Sequence, residues 1–358
     1  MKKRIGILTS GGDCPGLNAV ISGAVKAADK LGWEVIGFKD GFEGLLPPRE
    51  HMVLDVKNTA GIMQQGGTIL GTTNKGHFVA KVGAGDRAMV PSEVVGKARL
   101  TLEEMNISGL VVIGGDGSLS TALQLYEAEF PVVGVPKTID NDLDATAMTF
   151  GFDSAVAFVT DALDRLHTTG TSHKRVMVVE VMGRHAGWIA LYGGLAGGAD
   201  VILIPEIPYS FDKVAEVIRK RDADGAFCTM VVVAEGAKGQ QGQKFMRKTE
   251  SGEYRLGGVG DSVAREIAAR TGKETRTCVL GHLQRGGQPT TLDRILGMRF
   301  GVKAVELISE QKFGRMVAYH NYLIEEVSIA EAVNRLKTVP PDSQLVQTAR
   351  AVDVSFGD

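Results

Sequence analysis

Cysteine is scarce in this chain: Cys14, Cys228 and Cys278 are the three among 358 residues, odd in number and far apart. That excludes a disulfide framework and the paired spacing of a zinc site, and it fits a reducing cytoplasm. An excess of either charge is also missing, with 40 Lys and Arg against 42 Asp and Glu. No nucleic-acid or acidic-membrane partner is therefore expected, and any anion binding must be local. The longest apolar stretch, 187–204, is broken by glycines and Asp200, which predicts a buried helix, turn and strand rather than a membrane span. The basic start Met1-Lys2-Lys3-Arg4 is followed too soon by Ser10-Gly11-Gly12-Asp13 for a signal peptide. No Gly-x-x-x-x-Gly-Lys-Ser/Thr loop occurs, and the run from Gly11 to Gly16 lacks Gly-x-Gly-x-x-Gly spacing, which argues against a dehydrogenase.

The chain does have alternating strand and helix patterns, over a length that suits about two domains. β-branched apolar runs at 4–9, 34–38, 109–113 and 132–135 predict buried strands, and helical spacing predicts helices at 18–30, 92–105 and 118–128. The segment 41–78 reads as irregular. A second series then begins near residue 150, with helices expected at 153–167, 187–195, 212–221 and 261–270 and strands at 175–181, 201–204 and 228–234. The stretch 238–254 is polar and glycine-bearing, which predicts an exposed excursion. Last come helices at 292–308 and 328–336. Such alternation specifies mostly parallel sheets with helices on both faces.

Three of the expected strands end in polar loops. Pro136-Lys137-Thr138-Ile139-Asp140-Asn141-Asp142 puts two carboxylates, a hydroxyl and an amide where the backbone leaves the sheet, which is where ligands bind in open α/β folds. Gly114-Gly115-Asp116-Gly117-Ser118 and Gly11-Gly12-Asp13-Cys14-Pro15-Gly16 supply backbone N–H groups that can approach a phosphate, with Ser118 expected to open a helix whose amino end attracts anions. Asp116 is badly placed in such a cradle unless a cation bridges it to the phosphates. Gly66-Gly67-Thr68-Ile69-Leu70-Gly71-Thr72-Thr73-Asn74-Lys75 reads as a flap over them. The second half adds cations beside glycine turns: Ser172-His173-Lys174-Arg175, Met182-Gly183-Arg184-His185, Arg276 and Gly281-His282-Leu283-Gln284-Arg285. Cys14 is expected to be a small loop residue, since nothing around it marks a nucleophile.

Together with Glu235, these ordered motifs resemble those of the 6-phosphofructokinases along nearly the whole chain. The resemblance implies two doubly wound, mostly parallel-sheet domains, with the active site in the cleft between them. Residues 1–150 plus about 284–334 would form the donor domain, and about 151–283 plus the C-terminal segment the sugar-phosphate domain. It implies transfer of the ATP γ-phosphoryl group to O1 of fructose 6-phosphate in glycolysis. Gly12, Asn74, Lys75, Gly115, Asp116, Gly117 and Ser118 would hold the donor, with Mg²⁺ at Asp116. Asp140 would be the general base, acting with Thr138 and Arg184. Ile139, Asp142, Met182 and Gly183 would line the acceptor site, and Glu235, His282, Leu283, Gln284 and Arg285 would bind the sugar and its 6-phosphate. Arg175 and Arg276 would reach in from a neighbouring subunit of a homotetramer.

The chain departs from the family pattern in places. Gly117 leaves room for a nucleotide, whereas pyrophosphate-using relatives carry Asp there. Lys137, however, matches those relatives, although a flexible lysine can move aside. ATP is therefore the expected donor and pyrophosphate the alternative. Asn74 stands where many bacterial relatives carry arginine, leaving Lys75 as a point charge. Ser22, Lys26 and His167 match three arginines of the bacterial regulatory site, which implies weak or altered ADP control. The Gly-Gly-Asp-Gly signature also occurs in NAD kinases and lipid kinases, but those readings leave the loop from Thr138 to Asp142 and the cluster from Arg276 to Arg285 unexplained. A non-catalytic sugar-phosphate sensor would gain little from placing Asp116 and Asp140 against phosphates.

Overall fold

The computed structural model describes residues 2–78, 89–239, 246–248, 254–256 and 258–358. Strand β1 (Arg4–Thr9) leads into α1 (Leu17–Lys30), whose 3.6-residue apolar pattern buries Val20, Ile21, Ala24, Val25 and Ala28. Gly32, at φ 71°, turns the chain into β2 (Glu34–Phe38), and a short strand β3 (His51–Leu54) follows inside the stretch read as irregular. Next come α2 (Ser92–Glu104), β4 (Ile107–Gly114), α3 (Asp116–Glu127) and β5 (Val132–Pro136). Helix α3 starts two residues earlier than expected, at Asp116, because Gly115 takes the extended N-cap position and a carboxylate suits the first turn of a helix.

The second series is α4 (Phe152–His173), β6 (Val176–Val181), α5 (Trp188–Ala196), β7 (Val201–Leu203), α6 (Phe211–Ala223) and β8 (Thr229–Ala234). The antiparallel pair β9 (Met246–Lys248) and β10 (Tyr254–Leu256) is the described part of the expected excursion, most of which lies outside the described residues. Then follow α7 (Val259–Thr271), β11 (Thr275–Val279), α8 (Thr291–Ser309), β12 (Arg315–His320), β13 (Leu323–Ser328), α9 (Ile329–Ala332) and α10 (Gln344–Ala351). None of the described helices is long and apolar enough to cross a membrane.

These elements form two compact units, one of residues 1–139, 143–154 and 285–336, the other of residues 140–142, 155–284 and 337–358. The first unit holds a seven-stranded sheet in the order β13-β12-β5-β4-β1-β2-β3, parallel except for its two edge strands. Leu8, Leu110 and Val112 face one side with residues of α2, α3 and α9. Alternate positions face the other side, where the Cα of Gly109 leaves room for Ile308 of α8. Both faces are covered, so these strands read as unbroken apolar runs. The second unit holds the all-parallel sheet β11-β6-β8-β7, with Val176, Val178, Val231 and Val233 packed on α6 and α7.

Helices α1 and α8 meet unusually closely, through glycine on both sides. A Cβ on Gly23 would lie inside contact distance of the Met298 carbonyl, and one on Gly301 would collide with that of Val20. Since the neighbours are backbone, they cannot swing away. Although alanine is intrinsically better than glycine in a helix by about 1 kcal/mol, Gly301→Ala should destabilise the fold by about 1–3 kcal/mol, read as a lower urea midpoint at unchanged slope.

Candidate active site

In each unit the polar loops gather where the strand order reverses. In the first unit the chain winds from β1 to β2 in one direction and from β4 to β5 in the other, so the carboxyl ends of β1 and β4 bound the switch point. The loops after those strands are the two glycine turns. They are stitched together by the Ser10 N–H on the Ile113 carbonyl (2.9 Å) and by the Ser118 hydroxyl on Ser10 Oγ (3.0 Å). The third loop joins them through the Lys137 N–H on the Gly114 carbonyl (2.9 Å).

Gly11, at φ 84°, marks the centre of this group. A Cβ there would lie 3.2 Å from Ser118 Oγ, 3.4 Å from Lys137 Nζ and 3.8 Å from Asn74 Oδ1. A side chain at Gly12 would strike the Arg285 guanidinium, whose Nη1 donates to the Asp13 carbonyl at 3.2 Å. Lys137 is 3% exposed, with its ammonium on the Gly12 carbonyl. Asp116 and Gly117, half-buried, open α3, where the helix amino end offers N–H groups to an anion. Lys75 is exposed, its backbone N–H held by Thr73 Oγ1 at 3.0 Å.

The flap is tied down by a residue that sequence reading missed. Asn18, 1% exposed on α1, donates its amide to the carbonyls of Gln65 (3.2 Å) and Gly66 (3.3 Å), and its Oδ1 accepts the Ile69 N–H at 2.9 Å. In sequence the position is only the first residue of the helix expected at 18–30, and the fold shows what it faces. Thr9 adds a hydroxyl donated to the Gly71 carbonyl at 2.8 Å. Burial pushes the Cys14 thiol up to about 12, so at neutral pH it is a protonated, inert filler beneath Gly151.

The second unit repeats the logic. Its sheet reverses at β6, which has β8 on one side and β11 on the other. Met182-Gly183-Arg184 leaves β6, Glu235 leaves β8, and His282 to Arg285 follow β11. Gly183, at φ 132°, accepts the Gly236 N–H at 3.1 Å, and Gly236 itself has no room for a Cβ against the Arg184 carbonyl. Arg184, His282 and Leu283 are exposed, whereas Gln284 is 1% exposed and spends its amide on backbone. It accepts the Met182 N–H at 3.3 Å and donates to the Gly281 carbonyl at 3.0 Å, the pattern of a loop brace rather than a ligand contact. Half-buried Asp140 and Asp142 belong to this unit, two and four residues along the chain from Thr138, whose carbonyl is held by the Thr149 hydroxyl at 2.7 Å.

Two arginines do not join these loops. Arg175 precedes β6 and Arg276 lies near the start of β11, both ion-paired with Glu274, the first at 2.9 Å. Arg184 stands at the other end of β6, whose six residues span roughly 20 Å. Of the three positions matched to the regulatory arginines, Ser22 is buried, Lys26 is exposed, and His167 Nε2 is 3.0 Å from the Gly197 carbonyl.

Paired glycine cradles at switch points, with carboxylates beside them, define an α/β protein built to handle phosphorylated small molecules. The phosphofructokinase family pattern matches residues 4–308, and the chain belongs to that family. It is 52% identical to the ATP-dependent 6-phosphofructokinase of Chloroflexus aggregans over 357 residues, covering 100% of this chain and 98% of the relative. It is also 48% identical to the pyrophosphate–fructose 6-phosphate 1-phosphotransferase of Amycolatopsis methanolica, over 95% of this chain and 97% of the relative. Among solved structures it superposes on Pichia pastoris phosphofructokinase with a TM-score of 0.81 at 30% identity, covering all of this chain and 37% of that one.

Removing the flap's tether has a direct readout. Asn18→Ala should speed amide exchange at Ile69 about tenfold, the loss of about 1–1.5 kcal/mol from one buried hydrogen bond, while strand amides of β1 stay protected.

Proposed function

We propose that this chain is an ATP-dependent 6-phosphofructokinase, which transfers the γ-phosphoryl group of ATP to O1 of fructose 6-phosphate and yields fructose 1,6-bisphosphate and ADP. The observation that carries the reading is the cradle at the β1/β4 switch point, with Asp116 in the first turn of α3 and the chain running on from β5 through Thr138 to Asp140. Phosphoryl transfer asks for alignment and charge neutralisation more than covalent help, and this inventory supplies both.

The donor's phosphates would lie against the N–H groups of Gly12, Gly115, Gly117 and Ser118, with Asn74 and Lys75 on the flap. Among the described residues no cluster of three or more Asp, Glu, His or Cys could hold a metal on its own. A lone carboxylate beside a phosphate cradle nevertheless fits Mg²⁺, which takes one or two carboxylates and completes its shell with phosphate oxygens and water. Asp116 is that carboxylate, and the ion would neutralise charge on the phosphates. Asp140 accepts the proton of the attacking sugar hydroxyl, and Thr138, Ile139, Asp142, Met182, Gly183 and Arg184 surround the acceptor and the moving group. Glu235, His282, Leu283 and Arg285 contact the sugar and its 6-phosphate, with Gln284 bracing their loop.

Arg175 and Arg276 support an assembled homo-oligomer, a tetramer by family resemblance. Standing at the amino ends of strands whose carboxyl ends carry the other acceptor residues, they are too far along the sheet to serve the same unit's loops. A neighbouring copy would receive them, as fork-shaped partners for the 6-phosphate.

The donor has a second reading. Lys137 matches pyrophosphate users, and a relative at 48% identity carries that name. ATP is favoured because Gly117 has no side chain to obstruct the nucleotide's inner phosphate, although the Lys137 ammonium stands in the cradle on the Gly12 carbonyl. A coupled assay with fructose 6-phosphate should show turnover with ATP and little with pyrophosphate. The reverse ranking would transfer the assignment to the alternative donor, and silence with both would end it. Asp140→Ser should lower kcat by on the order of 10²–10⁴ if its carboxylate is the base, and unchanged turnover would remove that role.

A further inference from the structure

Lys337 is the first residue of the C-terminal segment that belongs to the second unit, and it meets the three-residue piece carrying the proposed base. Its backbone N–H donates to the Asp142 carbonyl at 2.8 Å, and its ammonium donates to Asn141 Oδ1 at 2.9 Å. Asn141 is 4% exposed and sits at φ 51°, a left-handed conformation that asparagine tolerates better than most residues. The two residues flanking it in sequence are the aspartates assigned to the acceptor. A charge-assisted hydrogen bond to the middle of a three-residue loop fixes the direction in which its neighbours point.

The other side of Lys337 is equally occupied. Its carbonyl accepts the Trp188 indole N–H at 2.9 Å, and its ammonium lies 6.0 Å from the centre of that ring. Two residues on, the Val339 N–H donates to Glu206 at 2.8 Å, and the same carboxylate accepts the Gly187 N–H at 3.0 Å. Gly187 and Trp188 open α5, directly after the Met182 to His185 loop. Lys337 thus links the Asp140 loop to the helix that follows the Met182 to His185 loop.

The geometry points to Lys337 as a positioning residue for the phosphoryl-transfer step, setting Asp140 and Asp142 against the Met182 to Arg184 loop. This rests on the reading of Asp140 as the base. Misplacing a reacting group by an ångström costs far more in turnover than in binding, because substrate can still occupy a loosened site. Lys337→Met keeps the stem and removes the ammonium. It should lower kcat by about 10- to 100-fold, with KM for both substrates within about twofold of the starting enzyme and with the unfolding midpoint preserved. Lys337→Arg retains a donor and a cation and should recover much of the loss. Asn141→Gly tolerates the same backbone and should lower kcat in the same way, with the double variant no worse than the more severe single one. Should Lys337→Met fail to fold, Asn141→Gly carries the kinetic test alone. Unchanged kcat, a rise in KM alone, or additive losses in the double variant would overturn the assignment. A starting enzyme that does not phosphorylate fructose 6-phosphate would overturn the functional reading instead, before any variant is compared.

Discussion

A parallel sheet covered by helices on both faces leaves its strand ends open at the point where the winding changes direction, since the helices there depart to opposite sides. The first unit opens between β1 and β4, and the second at β6. Apart from the flap, each polar loop assigned to donor or acceptor leaves a strand at or beside one of these gaps, so the chemistry inherits its placement from topology. The requirement for close backbone approach then selects the residues. Gly11 and Gly12 keep the first gap clear of Cβ atoms, and Gly236 lets the Arg184 turn close over it in the second.

Strands β1, β2 and β4 to β8 were legible because burial on both faces makes them continuous apolar runs bounded by turn residues. Strands β3, β11, β12 and β13 were not. β11, with the sequence Thr-Arg-Thr-Cys-Val, alternates polar side chains at a sheet edge, and β13 carries Glu325 and Glu326 in its middle. Neither resembles a buried run, and the hairpin of β12 and β13 went unread with them. Helix α9 stops at Ala332, short of the expected 336, and the chain beyond it passes to the segment that braces the Asp140 loop.

Residue type and glycine spacing exposed the two cradles and the carboxylates. What they could not expose was direction. Asn18, Gln284 and Lys337 each act by donating or accepting hydrogen bonds to groups distant in sequence, at 47, 102 and 195 to 196 residues' separation. No local pattern encodes such a partner. Lys137 shows the same gap in reverse, a conspicuous charge in a promising loop whose ammonium is already engaged by a main-chain carbonyl. Arg175 and Arg184, nine positions apart in sequence, flank the strand expected between them, and its length sets them at opposite ends of the sheet.

The meeting of α1 with α8 has a mechanical side. Glycine on both helices brings main chain against main chain at Gly23 and Gly301, where no side chain can give to absorb sliding or rolling. The Gly11 to Gly16 turn is rooted in the amino end of that stiff pair. On the proposed function, accommodation of a longer or shorter phosphate chain would be left to the parts in front, the side chains of the loops and the strip tethered by Asn18, while the girder behind them keeps its gauge.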